Sequence, residues 1–117
     1  MIARLASLGG APLLIANGEI DHESCGAVEK LFEEAVLQGS PILFLDLSEV
    51  TYIDSGGLSV LFSAGRRVRD AGWIGLVAPN DSVRRLLELV GALADPAFRL
   101  FADRTEAERA LTEGDTA

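Results

Sequence analysis

The run Ile42-Leu43-Phe44-Leu45 constrains the fold more than any other stretch of the chain. Four consecutive apolar residues leave an extended strand no solvent face. That is how a central strand reads when both of its faces are covered. The cover has to come from the flanking segments, and those segments carry helical periodicity.

Upstream, a helix is expected over roughly residues 22–38. Asp21 is its candidate N-cap, and Glu23 falls in the first turn, where acids are favoured. Cys25, Val28, Phe32, Ala35 and Val36 share one face, with Leu31 alongside. Gly39 closes the helix and Pro41 enforces the stop. Downstream, a second helix runs to about Asp70, with Leu58, Leu61, Phe62 and Val68 as its buried stripe. Val60 lies off that stripe. "WIGLVA" reads as a short buried strand. A third helix follows, capped by Asn80 or Asp81, with Val83, Leu86, Leu87 and Val90 on its core face and Gly91 at its end. A strand at Phe98 to Phe101 and a helix from Thr105 to Thr112 complete the pattern. The first twenty residues give two strands around a Gly9-Gly10 turn. The order β-β-α-β-α-β-α-β-α is that of an α/β fold with parallel crossovers. We expect a single domain over residues 3–112 and a frayed tail over 113–117.

Composition excludes several functions. A net charge of −8 argues against nucleic acid as a partner, because phosphate binding needs a basic face. Arg66, Arg67 and Arg69 form a local basic patch without changing that balance. The single cysteine, Cys25, fits a reducing compartment, and no apolar run reaches membrane-spanning length. With no basic, apolar leader at the N-terminus, a cytoplasmic location is expected. One Cys and one His do not build a metal site, and no cofactor motif is present.

The chemistry concentrates in "TYIDSGGLSV", Thr51 to Val60, where the central strand hands over to the second helix. Ser55 has three readings there. As a helix N-cap it would accept from a first-turn N–H, worth about 1 kcal/mol, although Asp54 competes for that place. As a nucleophile it would need Gly-x-Ser-x-Gly, but Ile53 stands at the first glycine. His22 is the single candidate base. As a displayed hydroxyl it would be a substrate for another enzyme. The local pattern favours the cap. Gly56 and Gly57 argue against a mere cap, since each costs a helix about 1 kcal/mol relative to alanine. Helix starts at the carboxyl ends of strands are also where α/β sheets place functional groups.

"LDLSEVTYIDSGGLSVL" resembles the signature of the STAS domain, in particular that of bacterial anti-anti-sigma factors. "NGEIDHESC", "APNDSVRRLLELVGAL" and "ADRTEAERAL" resemble further segments of that family, so the likeness runs over roughly residues 3–112. It implies a mixed, mainly parallel sheet with helices packed on it. It also implies a non-enzymatic role: the protein binds an anti-sigma factor that is a serine kinase, and so frees a sigma factor. By the same resemblance the kinase phosphorylates Ser55 and ends binding, and a serine phosphatase resets the switch. Asp54, Gly57 and Leu58 are the acceptor's motif neighbours, Asp21 matches an acidic residue near it, and Ser59 lies in the first helical turn expected to meet the partner. The commonest form of the motif has a second serine where this chain has Gly56. That departure leaves one hydroxyl in the loop and implies a more flexible loop. STAS domains also serve in stressosomes, as lipid-transport accessory subunits and as tails of anion transporters; the last use does not fit a chain without a membrane span.

Overall fold

A computed structural model describes residues 2–112, and the expected tail lies outside them. Strands β1 (Ile2–Leu8) and β2 (Ala11–Ile20) form a hairpin. Gly9 and Gly10 take φ of 59° and 88°, the positive pair that a two-residue turn of matching twist requires. Then follow α1 (Cys25–Leu37), β3 (Ile42–Ile53), α2 (Ser55–Val68), β4 (Trp73–Val77), α3 (Asp81–Leu89), a 3-10 turn at Ala92–Ala94, β5 (Phe98–Phe101) and α4 (Arg104–Thr112). The sheet order is β1-β2-β3-β4-β5, antiparallel only between β1 and β2.

The apolar run opening β3 divides as a doubly covered strand must. Leu43, Leu45 and Leu47 face a core made with Val28, Phe32 and Ala35 of α1, Val60, Leu61 and Ala64 of α2, and Val83 and Leu87 of α3. Phe44 faces the other way, into a smaller core with Leu13, Trp73, Val77, Phe101 and Ala107 of α4. Strands that follow one another across the sheet, joined by crossovers of one hand, put their helices on one face. The helix after the last strand is free to take the other face.

That second face is held by an aromatic cluster and an ion pair. Phe44 meets Trp73 edge-on with ring centroids 5.8 Å apart, and Phe101 at 6.2 Å. Arg104, the first residue of α4, places Nε 2.7 Å from Oδ2 of the buried Asp46, whose Oδ1 accepts the Ser48 N–H at 2.8 Å. Burial alone would raise the Asp46 pKa, but the Ser48 and Arg104 hydrogen bonds outweigh it and hold the carboxyl below its ordinary range.

Three expectations change. Helix α1 starts at Cys25 rather than His22, because residues 22–24 form a separate turn, so Ser24 rather than Asp21 holds its N-cap position, Glu23 precedes the helix and Cys25 is half-buried at its start. Val60 is buried, because the buried sector of α2 is Gly57, Val60, Leu61, Ala64, Gly65 and Val68; Leu58 and Phe62 lie at its margins. Val90 is 40% exposed, since α3 ends at Leu89 and the chain turns at Gly91 with φ 82°.

Candidate functional site

The site forms where β2 and β3 outrun the rest of the sheet. β3 pairs with β4 only as far as Asp46, but with β2 through Ile20 opposite Ile53. Two register shifts, between Ile15 and Asn17 and between Gly18 and Glu19, each absorb an extra β3 residue. The next residues of the two strands, Asp21 and Asp54, are thereby brought side by side, and the Asp54 N–H donates to the Ile20 carbonyl at 3.1 Å.

Asp54 organises the junction. Its backbone is extended, with φ −101° and ψ −173°, as an N-cap requires. Oδ1 accepts the N–H groups of Gly56 at 2.8 Å and Gly57 at 3.1 Å. Oδ2 accepts the backbone N–H of His22 at 3.2 Å and lies 3.1 Å from its ring Nδ1. Desolvation pushes the Asp54 pKa up, but the donors of Gly57, His22 and Gly56 outweigh it and hold the carboxyl below its usual range. His22 shifts the other way: the hydrogen bond to Asp54, then its charge, raise the imidazole pKa.

Ser55 is therefore not the cap. It is the first residue of α2, exposed, and its hydroxyl makes no hydrogen bond among the described residues. Nor is it paired as a nucleophile: among the described residues the His22 ring is hydrogen-bonded to Asp54 and not to the Ser55 hydroxyl. Gly56 and Gly57 serve close approach rather than a loose loop. A β-carbon on Gly57 would lie 2.5 Å from the Ile20 carbonyl oxygen, and one on Gly56 would lie 3.0 Å from Cα and Cβ of His22. Leu58 is half-buried against the core, and Ser59 is exposed one turn on from Ser55.

Asp21 makes no hydrogen bond to Asp54 or Gly56 among the described residues, although the Asp54 charge acts on it, and its carboxylate shapes the turn beside them. Its Oδ1 accepts the N–H groups of Glu23 and Ser24, both at 3.0 Å, and the Ser24 bond is the main reason its pKa is lowered. Ser24, which the sequence reading passed over, locks this turn: its hydroxyl accepts the Asp21 N–H at 3.0 Å and lies 2.9 Å from the Glu19 carbonyl. A D-x-x-S pattern before an apolar stripe was the available signal. The exposed Tyr52 lines a recess of about 250 Å³ with Thr51, Ile53, Ser82, Val83 and Leu86. Of the basic patch, Arg69 is tied to Asp95 at 3.0 Å. No group of three metal-ligating side chains occurs among the described residues, and no described helix is long and apolar enough to cross a membrane.

The chain matches the STAS domain model over residues 4–107. It is 33% identical over 98 residues to the anti-sigma-F factor antagonist RsfB of Mycobacterium tuberculosis, covering 84% of this chain and 79% of that one. A solved structure described as an anti-sigma factor antagonist from Thermotoga maritima superposes with a TM-score of 0.83 at 27% identity, covering 94% of each chain. SpoIIAA in its unphosphorylated form shares the fold, with a TM-score of 0.73 at 18% identity over 95% of this chain and 98% of that one. With family model, sequence relatives and overall fold in agreement, the chain belongs to the STAS domain family, among relatives named as anti-sigma factor antagonists.

Proposed function

We propose that this protein is an anti-sigma factor antagonist: its unphosphorylated form binds an anti-sigma serine kinase in the cytoplasm and releases a sigma factor. Phosphorylation of Ser55 ends that binding. The names of its relatives support the role. The observation that carries the switch is the state of Ser55, exposed and without an intramolecular hydrogen bond at the start of α2, because Asp54 has taken over the capping.

In the modification, the γ-phosphoryl group of ATP passes to Ser55 Oγ. The P–O bond to ADP breaks, and the hydroxyl proton leaves. The product carries about −1.5 to −2 added charge at pH 7. A helix N-terminus favours an anion, but here the N–H groups of Gly56 and Gly57 are already spent on Asp54. The phosphate therefore stays exposed beside an existing carboxylate. Its charge acts on the docked partner rather than on the fold. We assign the contact surface to the first turn of α2, with Ser55, Leu58 and Ser59, and to the adjoining loop at Asp21. A serine phosphatase reverses the step by hydrolysing the phosphate ester.

The test is binding and phosphorylation with a cognate anti-sigma kinase. Ser55→Ala is expected to keep partner affinity and to accept no phosphate, and Ser55→Asp to lose affinity by about a hundredfold. A phosphopeptide that excludes Ser55, or equal affinities for the two variants, would sink the switch.

A further inference from the structure

His22 is the sole histidine of the sequence, and it lies across the acceptor's two chain neighbours. Its side chain is 80% exposed, yet both its backbone N–H and its ring Nδ1 address one oxygen of Asp54, 32 residues away. On the other side of Ser55, Gly56 has no β-carbon, and Cα and Cβ of His22 close over that space. We propose that His22 is a positioning residue for Ser55: a proton-dependent clasp that joins the β2–α1 loop to the start of α2 and sets how the acceptor is presented. Only the word acceptor depends on the function proposed above; the clasp does not.

The physical basis is a change of charge within a fixed contact. A neutral imidazole donates one hydrogen bond to Asp54; an imidazolium donates the same bond and adds a positive charge. The charged groups facing the ring are Asp54 across the junction and Asp21 and Glu23 on its own loop. All three are acids, and together they raise the imidazole pKa, the Asp54 hydrogen bond most of all. The contribution of the added charge is therefore complete below about pH 6.5 and is lost as pH rises through the raised value, while the hydrogen bond remains. Exposure keeps the effect small. A phosphate on the residue between the two contacts adds negative charge near the ring and raises its pKa again. By linkage, a protonated His22 favours the phosphorylated state by the same factor.

The full chain can be followed by NMR from pH 5.5 to 9, reading the His22 ring and the Gly56 and Gly57 amides. The expected result is a His22 midpoint above 6.5, with both amides moving at that midpoint. In His22→Gln the amides should stay flat over the same range. With the kinase added, the wild-type phosphorylation rate, normalised to His22→Gln at each pH, should change by about threefold across that midpoint. Amides that ignore the His22 titration, or a normalised rate that is flat, would overturn the proposal. If the amides follow His22 while Ser55 takes no phosphate, the clasp stands and the acceptor reading falls.

Discussion

Two strand-to-helix junctions in this molecule look alike and are built for different ends. Residues 53–57 lead into α2, and residues 79–83 lead into α3. Each is capped by an extended Asx residue, Asp54 or Asn80, whose side chain accepts first-turn N–H groups. Each places an exposed serine in the first turn, Ser55 or Ser82. The difference is what lies on top. At the α3 junction Val83 is a buried anchor and Asn80 reaches back to the Val50 carbonyl at 3.2 Å. At the α2 junction a second loop is pressed onto the turn, and Gly56 and Gly57 stand where the α3 junction has Ser82 and Val83. The Gly56-Gly57 pair is thus a steric requirement of a two-loop site. A simple helix start would use better helix formers.

The largest expected effect tests that steric claim. Gly57→Ala should lower stability by about 2–3 kcal/mol in urea unfolding, because the new methyl meets the Ile20 carbonyl oxygen, a backbone atom. A neutral result would mean that the two loops are not packed as described. Capping comes next. Asn80→Ala should cost about 1 kcal/mol, and Asp54→Ala should lower the urea midpoint further, since it also releases His22; equal losses would erase the contrast. A smaller difference appears on acidification. The depressed pKa of Asp54 means that its contribution is complete above the ordinary carboxylate range and is lost as pH falls through the lowered value. Asp54→Asn keeps an acceptor oxygen but should flatten that part of the acid-stability profile, whereas Asn80→Ala should leave its slope unchanged. Least of all, Ser55→Ala and Ser82→Ala should each stay within about 0.5 kcal/mol of wild type. A clear loss at Ser55 would show that its hydroxyl has a structural partner.

Much of this was legible in the sequence because it depends on local or periodic signals. The Gly9-Gly10 turn, the doubly covered strand and the Gly39 stop follow from residue type and spacing, and each is where it was expected. The buried sector of α2 was harder to read, because small residues make much of it. Gly65 is there so that Phe98 can pack, a β-carbon being 2.7 Å from its ring, and a glycine contributes nothing to an apolar stripe. The far half of β3 was hidden for a related reason: beyond Asp46 it has one partner strand and two register shifts, which break the alternation. Ser55 was legible as the residue of interest. Its release from capping, and the bond between His22 and Asp54, depend on the β2–β3 register, which no local pattern encodes.

That overhang of β2 and β3 beyond β4 has a consequence for how the protein can evolve. The anchored part of the sheet, with its aromatic cluster and the Asp46–Arg104 pair, ends where the overhang begins. The tip has a single partner strand, but Ile20, Val50 and Ile53 still bury their side chains in the main core. Only its exposed positions, such as Ser55 and Ser59, can change without drawing on the stability of the fold, whereas Gly57 and Asp54 hold the tip together. The freedom to vary therefore lies in single exposed side chains at the tip, not in the tip as a whole.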